Sequence, residues 1–172
     1  MSRIVALLPL SIVLGACPSE PHDASRSASP DPAPDATPVA VQDRRPQFTA
    51  APEGPVDATV REAMRAAQAN DRRLLVYVGA AWCEPCTEFH HAVERGELDE
   101  ALAGVQLLEF DADRSGPQLV EAGYGGDMIP RFALPGADGK GSGRAIEGGI
   151  KGPGAVDHIM QRLTPLLAHA GR

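Results

Sequence analysis

One apolar run sets the frame for this chain. Residues 73–80, RLLVYVGA, carry no polar alternation after the first position, the pattern of a strand covered on both faces. Such a strand needs helices on either side of its sheet, and the flanking sequence offers them. Val56, Val60, Ala63, Met64 and Ala67 recur at helical spacing before it. After it, the pattern predicts a helix from near Cys83 to around Gly96, then a short helical piece over ELDEALAG (97–104). VQLLEFDAD (105–113) reads as a second buried strand, and PQLVEAGYG (117–125) as a helix ended by Gly125-Gly126. IPRFALPG, ADGKG and SGRAIEGGI read as strand, turn and strand. Val156, Ile159, Met160, Leu163, Leu166 and Leu167 form a closing amphipathic helix, which Pro165 is expected to break early. The order predicts an α/β fold, a mixed central sheet with helices on both faces. No internal repeat is visible.

Upstream of Val56 the texture changes. Nine of the sixteen prolines, at positions 18, 21, 30, 32, 34, 38, 46, 52 and 55, lie between residues 18 and 55. Large apolar residues are nearly absent there, so the segment cannot offset its ordering entropy and reads as a disordered tether with polyproline character. The first sixteen residues, MSRIVALLPLSIVLGA, read as a secretory signal with Arg3 as the positive charge. Its apolar stretch, Ile4–Val13, is too short to span a bilayer, which takes about 20 apolar residues. Leu14-Gly15-Ala16-Cys17 resembles a bacterial lipobox, in which cleavage precedes the cysteine and its thiol is acylated. The expected organisation is a lipoprotein-type signal peptide over 1–16, a lipidated Cys17 opening a tether over 17–55, and a folded domain over 56–172. Pro18 after the cysteine, where no aspartate signals inner-membrane retention, points to the outer membrane.

The formal charge is −7, from 23 acidic against 16 basic residues. No basic run with interleaved aromatics occurs, which argues against a nucleic-acid partner. Three cysteines, one of them Cys17, exclude a framework of several disulfides.

The other two cysteines sit in Trp82-Cys83-Glu84-Pro85-Cys86, and the spacing is open to three chemistries. Haem attachment needs a histidine directly after the second cysteine; here that residue is Thr87. A structural zinc site wants four ligands, and Cys83, Cys86 and His90 on one helix supply three at most, with His158 and His169 on a distant helix. His90 and His91 read instead as a half-buried and an exposed helix residue. A redox dithiol suits the local physics best. A cysteine at a helix N-terminus faces unpaired N–H groups and the positive end of the dipole, which favours its thiolate. A proline in the first turn costs little, because its missing N–H would have had no partner. Trp82 is expected to pack beside the pair and shield one side.

The motif after the strand LLVYVGA, with Ile129-Pro130 about 45 residues later, resembles the thioredoxin superfamily over residues 57–170. Cys86-Thr87-Glu88-Phe89 is most similar to the C-terminal periplasmic domain of DsbD-type thiol:disulfide interchange proteins. Cys-Glu-Pro-Cys is also found in ResA-like and TlpA-like anchored reductases. The resemblance implies a thioredoxin-like fold, Cys83 as the exposed attacking thiolate, Cys86 as the buried resolving thiol, and Pro130 as a cis-proline opposite them. Two positions depart from the pattern. Tyr77 stands where the family often has a buried aspartate, and Arg131 follows the proline in place of the common threonine, bringing a positive charge toward Cys83.

With Tyr77 unsuited to accept the Cys86 proton, Glu109 in the apolar run VQLLEFDAD is the candidate acceptor. It is expected to neighbour Tyr77 across the sheet and to bond its hydroxyl, with Glu88 as the fallback. The resulting expectation is a monomeric thiol–disulfide oxidoreductase, anchored by lipid on the periplasmic side of a bacterial membrane. It would reduce protein disulfides, take electrons from an upstream donor, and need no metal or organic cofactor. Glu84 between the cysteines disfavours the thiolate and so favours a reducing couple. The rival is a non-catalytic binding module whose CxxC is structural or holds a metal.

Overall fold

The computed structural model describes residues 44–169; the expected signal peptide, Cys17 and most of the tether lie outside the described residues. At the centre is β2 (Arg73–Gly79), and its alternation feeds two cores. Leu75 and Tyr77 point into one, while Leu74, Val76 and Val78 point into the other. Burying a Leu or Val side chain contributes about 1.5–3 kcal/mol, so one strand with no polar face stabilises both layers.

β3 (Val105–Asp111) runs parallel to β2, with Tyr77 opposite Glu109. β4 (Arg131–Pro135) and β5 (Gly141–Glu147) form the antiparallel terminal pair. α1 (Val56–Ala69) and α3 (Ala112–Glu121) supply residues to the Leu74 core, and α2 (Glu84–Glu94) and α4 (Ala155–Ala168) to the Tyr77 core. The mixed sheet covered on both faces is therefore as expected.

The sheet has one strand more than the sequence suggests. Gln47–Ala50, inside the segment expected as tether, forms β1 and pairs parallel to β3, giving the order β1-β3-β2-β4-β5. It carries one large apolar residue, Phe48, between Pro46 and Pro52, so nothing in its pattern announced a strand. β1 has a consequence for the site, because it makes β3 an interior strand and brings Phe48 onto the core beneath α2.

Three element boundaries also move. Residues 97–104 form turns rather than a helical piece, although Leu98 and Leu102 are buried as a helix would have buried them. α3 starts at Ala112 instead of Pro117, because the Asp111 carboxylate accepts the backbone N–H groups of Asp113 and Arg114 and caps the helix there. Pro117 then lies inside the helix. α4 likewise continues past Pro165 to Ala168. Its last carbonyls are taken from outside the helix: Arg144 donates to Leu166 and Arg73 to Leu167, so the helix end is satisfied where its own ladder has run out.

Candidate active site

β2 ends at Gly79 and a three-residue loop leads to Cys83, the N-cap of α2. Cys83 and Cys86 are joined as a disulfide, with their Cα atoms 5.2 Å apart. The Cys86 backbone N–H points at the Cys83 sulfur at 3.3 Å. When the bond is opened, that N–H and the helix dipole favour negative charge on Cys83. In the disulfide state both residues are covered, Cys83 to 4% exposure and Cys86 to 2%. The exposed attacking Cys83 expected of the pair is that of the dithiol state; in the disulfide it is covered like Cys86.

The Ile129–Pro130 bond is cis, as the resemblance implied. The loop after β5 lies across this proline and the motif. Gly148 N–H donates to the Pro130 carbonyl at 2.9 Å, and Gly152 N–H donates to the Glu84 carboxylate at 2.9 Å. Between them Gly149 packs so closely that an added Cβ would fall 2.8 Å from Pro85 Cβ; only a glycine admits the loop at this distance. Arg162 of α4 holds the loop from behind, donating to the carbonyls of Glu147 and Gly148. Sequence reasoning missed this loop; its signal was the glycine pair Gly148-Gly149 directly after a strand.

A family model described as thioredoxin-like matches residues 56–137, a stretch that holds both cysteines and Pro130. The match and the mixed five-stranded sheet agree on a thioredoxin-like fold. No curated protein matches the chain. The thioredoxin-like domain and its closed CxxC pair support an oxidoreductase of the thiol–disulfide kind.

Around this pair, several expected placements are corrected. Trp82 stands 70% exposed, with its indole N–H donating to Asp113 at the start of α3 at 2.8 Å, rather than packed into the core. Together with Met128 and Ile150, also exposed, it places large apolar side chains on the three loops of the thioredoxin-like site. Arg131 does not offer a free charge to Cys83. It forms an ion pair with Glu147, its partner in the β4–β5 register, and the pair neutralises itself. Glu84 is engaged by Gly152 yet remains beside the cysteines.

Glu109 and Tyr77 are register neighbours as expected, but no bond joins them. The Tyr77 hydroxyl is buried without a partner among the described residues, and burial, with the Glu109 charge adding to it, pushes its phenol pKa far upward. Glu109 instead faces His90 of α2, with Nε2 and Oε1 2.8 Å apart. Both side chains border a pocket of about 420 Å³ on the concealed side of the disulfide, together with Cys86, Tyr77, Asp111 and Arg114. Glu88, the fallback, is half-buried on α2 and lies outside this pocket. His90 was legible only as a half-buried helix residue. Its position four residues beyond Cys86, hence on the same helix face, was the available clue.

Proposed function

We propose that the protein is an extracytoplasmic, lipid-anchored thiol–disulfide oxidoreductase that reduces protein disulfides, of the general kind of the DsbD C-terminal domain and the anchored ResA-like and TlpA-like reductases. The observation that carries this reading is the Cys83–Cys86 pair at the N-terminus of α2 beside cis-Pro130.

The chemistry is thiol–disulfide exchange. The Cys83 thiolate attacks one sulfur of the substrate disulfide, and the other substrate sulfur leaves as a thiolate. Cys86 then loses its proton and attacks the Cys83 sulfur. The Cys83–Cys86 bond forms, the mixed disulfide breaks, and the second substrate thiolate departs. Two electrons pass to the substrate and the dithiol is oxidised; an upstream thiol donor restores it. An extended substrate segment lies along the Ile129 backbone before Pro130, with Trp82, Met128 and Ile150 available to its apolar side chains. Glu84 beside the pair disfavours the thiolate and biases the couple toward donating electrons.

The direct test is reduction of insulin by dithiothreitol. Catalytic amounts of the protein should bring forward the precipitation of the free B chain, and a protein shown to hold a reduced dithiol but without effect on the onset would overturn the reading.

The anchor rests on Leu14-Gly15-Ala16-Cys17. Stable attachment takes more than one acyl chain, each buried CH₂ adding about 0.8 kcal/mol, and the triacylated cysteine of bacterial lipoproteins meets that need. Cys17→Ser should move the protein from the membrane fraction to the soluble one in its native host. An unmodified mature N-terminus by mass spectrometry would exclude the lipid.

A further inference from the structure

We infer that His90 and Glu109 form a single proton-accepting couple for Cys86, with the imidazole as the group that holds the proton. The inference rests on the exchange reaction proposed above and assigns a role to a residue outside the CxxC.

The geometry begins with the pocket. On one wall is Cys86, whose proton must leave before it can resolve the mixed disulfide. His90, one helical turn further along α2, and Glu109 of β3 lie on the same pocket, bonded to each other at 2.8 Å. The imidazole is held flat against Phe48 of β1, with ring centroids 3.8 Å apart and planes 12° apart, while the Tyr77 ring meets its edge at 5.4 Å. Phe48 is therefore a positioning residue. The buried Tyr77 hydroxyl, without a partner among the described residues, belongs to a side chain that also borders this pocket. A water there would find polar partners in that hydroxyl, Glu109 and His90, enough to be held and to relay a proton from the Cys86 sulfur.

The chemistry follows from the pairing. In the resting couple the Nε2–H donates to the Glu109 carboxylate, leaving Nδ1 as the open acceptor. Taking the Cys86 proton converts the couple to imidazolium and carboxylate in contact, a favourable arrangement in a partly buried site. The same pairing orients and stabilises the imidazolium of hydrolytic triads. The Cys86 sulfur keeps the electron pair and spends it on the new bond to Cys83, and the departing substrate thiolate or solvent takes the proton from the couple. An exit exists, since the His90 and Glu109 side chains are 24% and 32% exposed.

The groups facing the couple are few. β2 contributes Tyr77, whose phenol stays protonated. The end of β3 contributes Asp111, and α3 contributes Arg114, which pairs with Asp111 at 3.8 Å. On α2, Cys86 lies one turn before His90 and Glu94 one turn after it, while β1 brings no titratable side chain. An imidazole is the one ordinary side chain that exchanges a proton near neutrality, which matches the task.

The test is a stopped-flow reaction of the reduced protein with Ellman's reagent across pH. Attack by Cys83 releases the first thionitrobenzoate, and resolution by Cys86 releases the second. His90→Gln keeps a donor toward Glu109 but cannot hold the proton; His90→Phe keeps the stacking on Phe48 and guards against a mere loss of fold. Both should slow the second phase about tenfold or more at pH 7, with parent and variants converging at alkaline pH, where the Cys86 thiol ionises unaided. Glu109→Gln should do the same. A second phase whose pH profile is the same in parent and His90 variants would overturn the couple while leaving the exchange reaction intact. A parent that releases no second equivalent would overturn both.

Discussion

Replacing Cys86 by serine is expected to stop turnover and trap the protein on its substrate. In the variant the Cys83 thiolate still forms at the N-cap of α2, because the helix dipole and the first-turn N–H groups that favour it are backbone features. It still attacks a disulfide and expels one thiolate. No second thiol then takes its place: under the proposed anchor the Cys17 sulfur is acylated, and the serine hydroxyl is far too weak an acid to take the place of a thiolate. The mixed disulfide therefore persists. Multiple-turnover reduction of insulin should fall to the uncatalysed rate, and non-reducing electrophoresis should show a covalent adduct through Cys83 that dithiothreitol dissolves. The double variant Cys83→Ser, Cys86→Ser should form none. Adducts through Cys86 in a Cys83→Ser variant, at a rate equal to those of Cys83, would reverse the roles.

Phe89→Ala is expected to cost about 3–5 kcal/mol, the range for truncating a fully buried aromatic. Phe89 is wholly buried on α2 and meets Phe132 with ring centroids 4.8 Å apart and Tyr77 at 6.2 Å. It also borders Phe48 at 6.2 Å, so one ring ties α2 to three strands. Those contacts fix the helix that carries both cysteines, and the same neighbours, Tyr77 and Phe48, flank His90. Small domains have about 5–15 kcal/mol of stability in total, so the change removes a large share of it. Urea unfolding of the oxidised protein should show a lower midpoint with the slope kept. A loss below about 1 kcal/mol would mean that the neighbouring rings close over the space, which the close packing of protein interiors does not readily allow.

What the sequence discloses and what it conceals divide along physical lines. β2 is legible because a run with no polar face admits only a doubly covered strand, and α1 and α4 because their apolar residues keep the helical period. The CxxC and Pro130 are legible as a motif. β1 is not, since Gln47–Ala50 draws its stability from pairing with β3 and from one buried ring, neither of which is local. The start of α3 is hidden for a related reason: Asp111 is at once the last residue of β3 and the cap of the helix, so a strand pattern runs straight into a helix without a loop. The surface position of Trp82 is hidden too, since the partner of its indole N–H, Asp113, lies 31 residues away. For Glu109 the register is right and the partner wrong. Residues on the α2 face of β3 can meet the helix as well as the next strand, and His90 reaches the carboxylate where the Tyr77 hydroxyl does not.

Cys83–Cys86 is a working redox couple rather than a structural bond under the proposed function, and its reduction potential tests it. Native protein equilibrated in thiol buffers of graded poise should open and close reversibly in one two-electron step. Its midpoint should lie above about −300 mV and nearer the reducing end, about −270 mV, than the oxidising end, about −120 mV, of the known dithiol couples. A disulfide that stays closed in the native protein until well below about −300 mV, the behaviour of structural bridges, would contradict it.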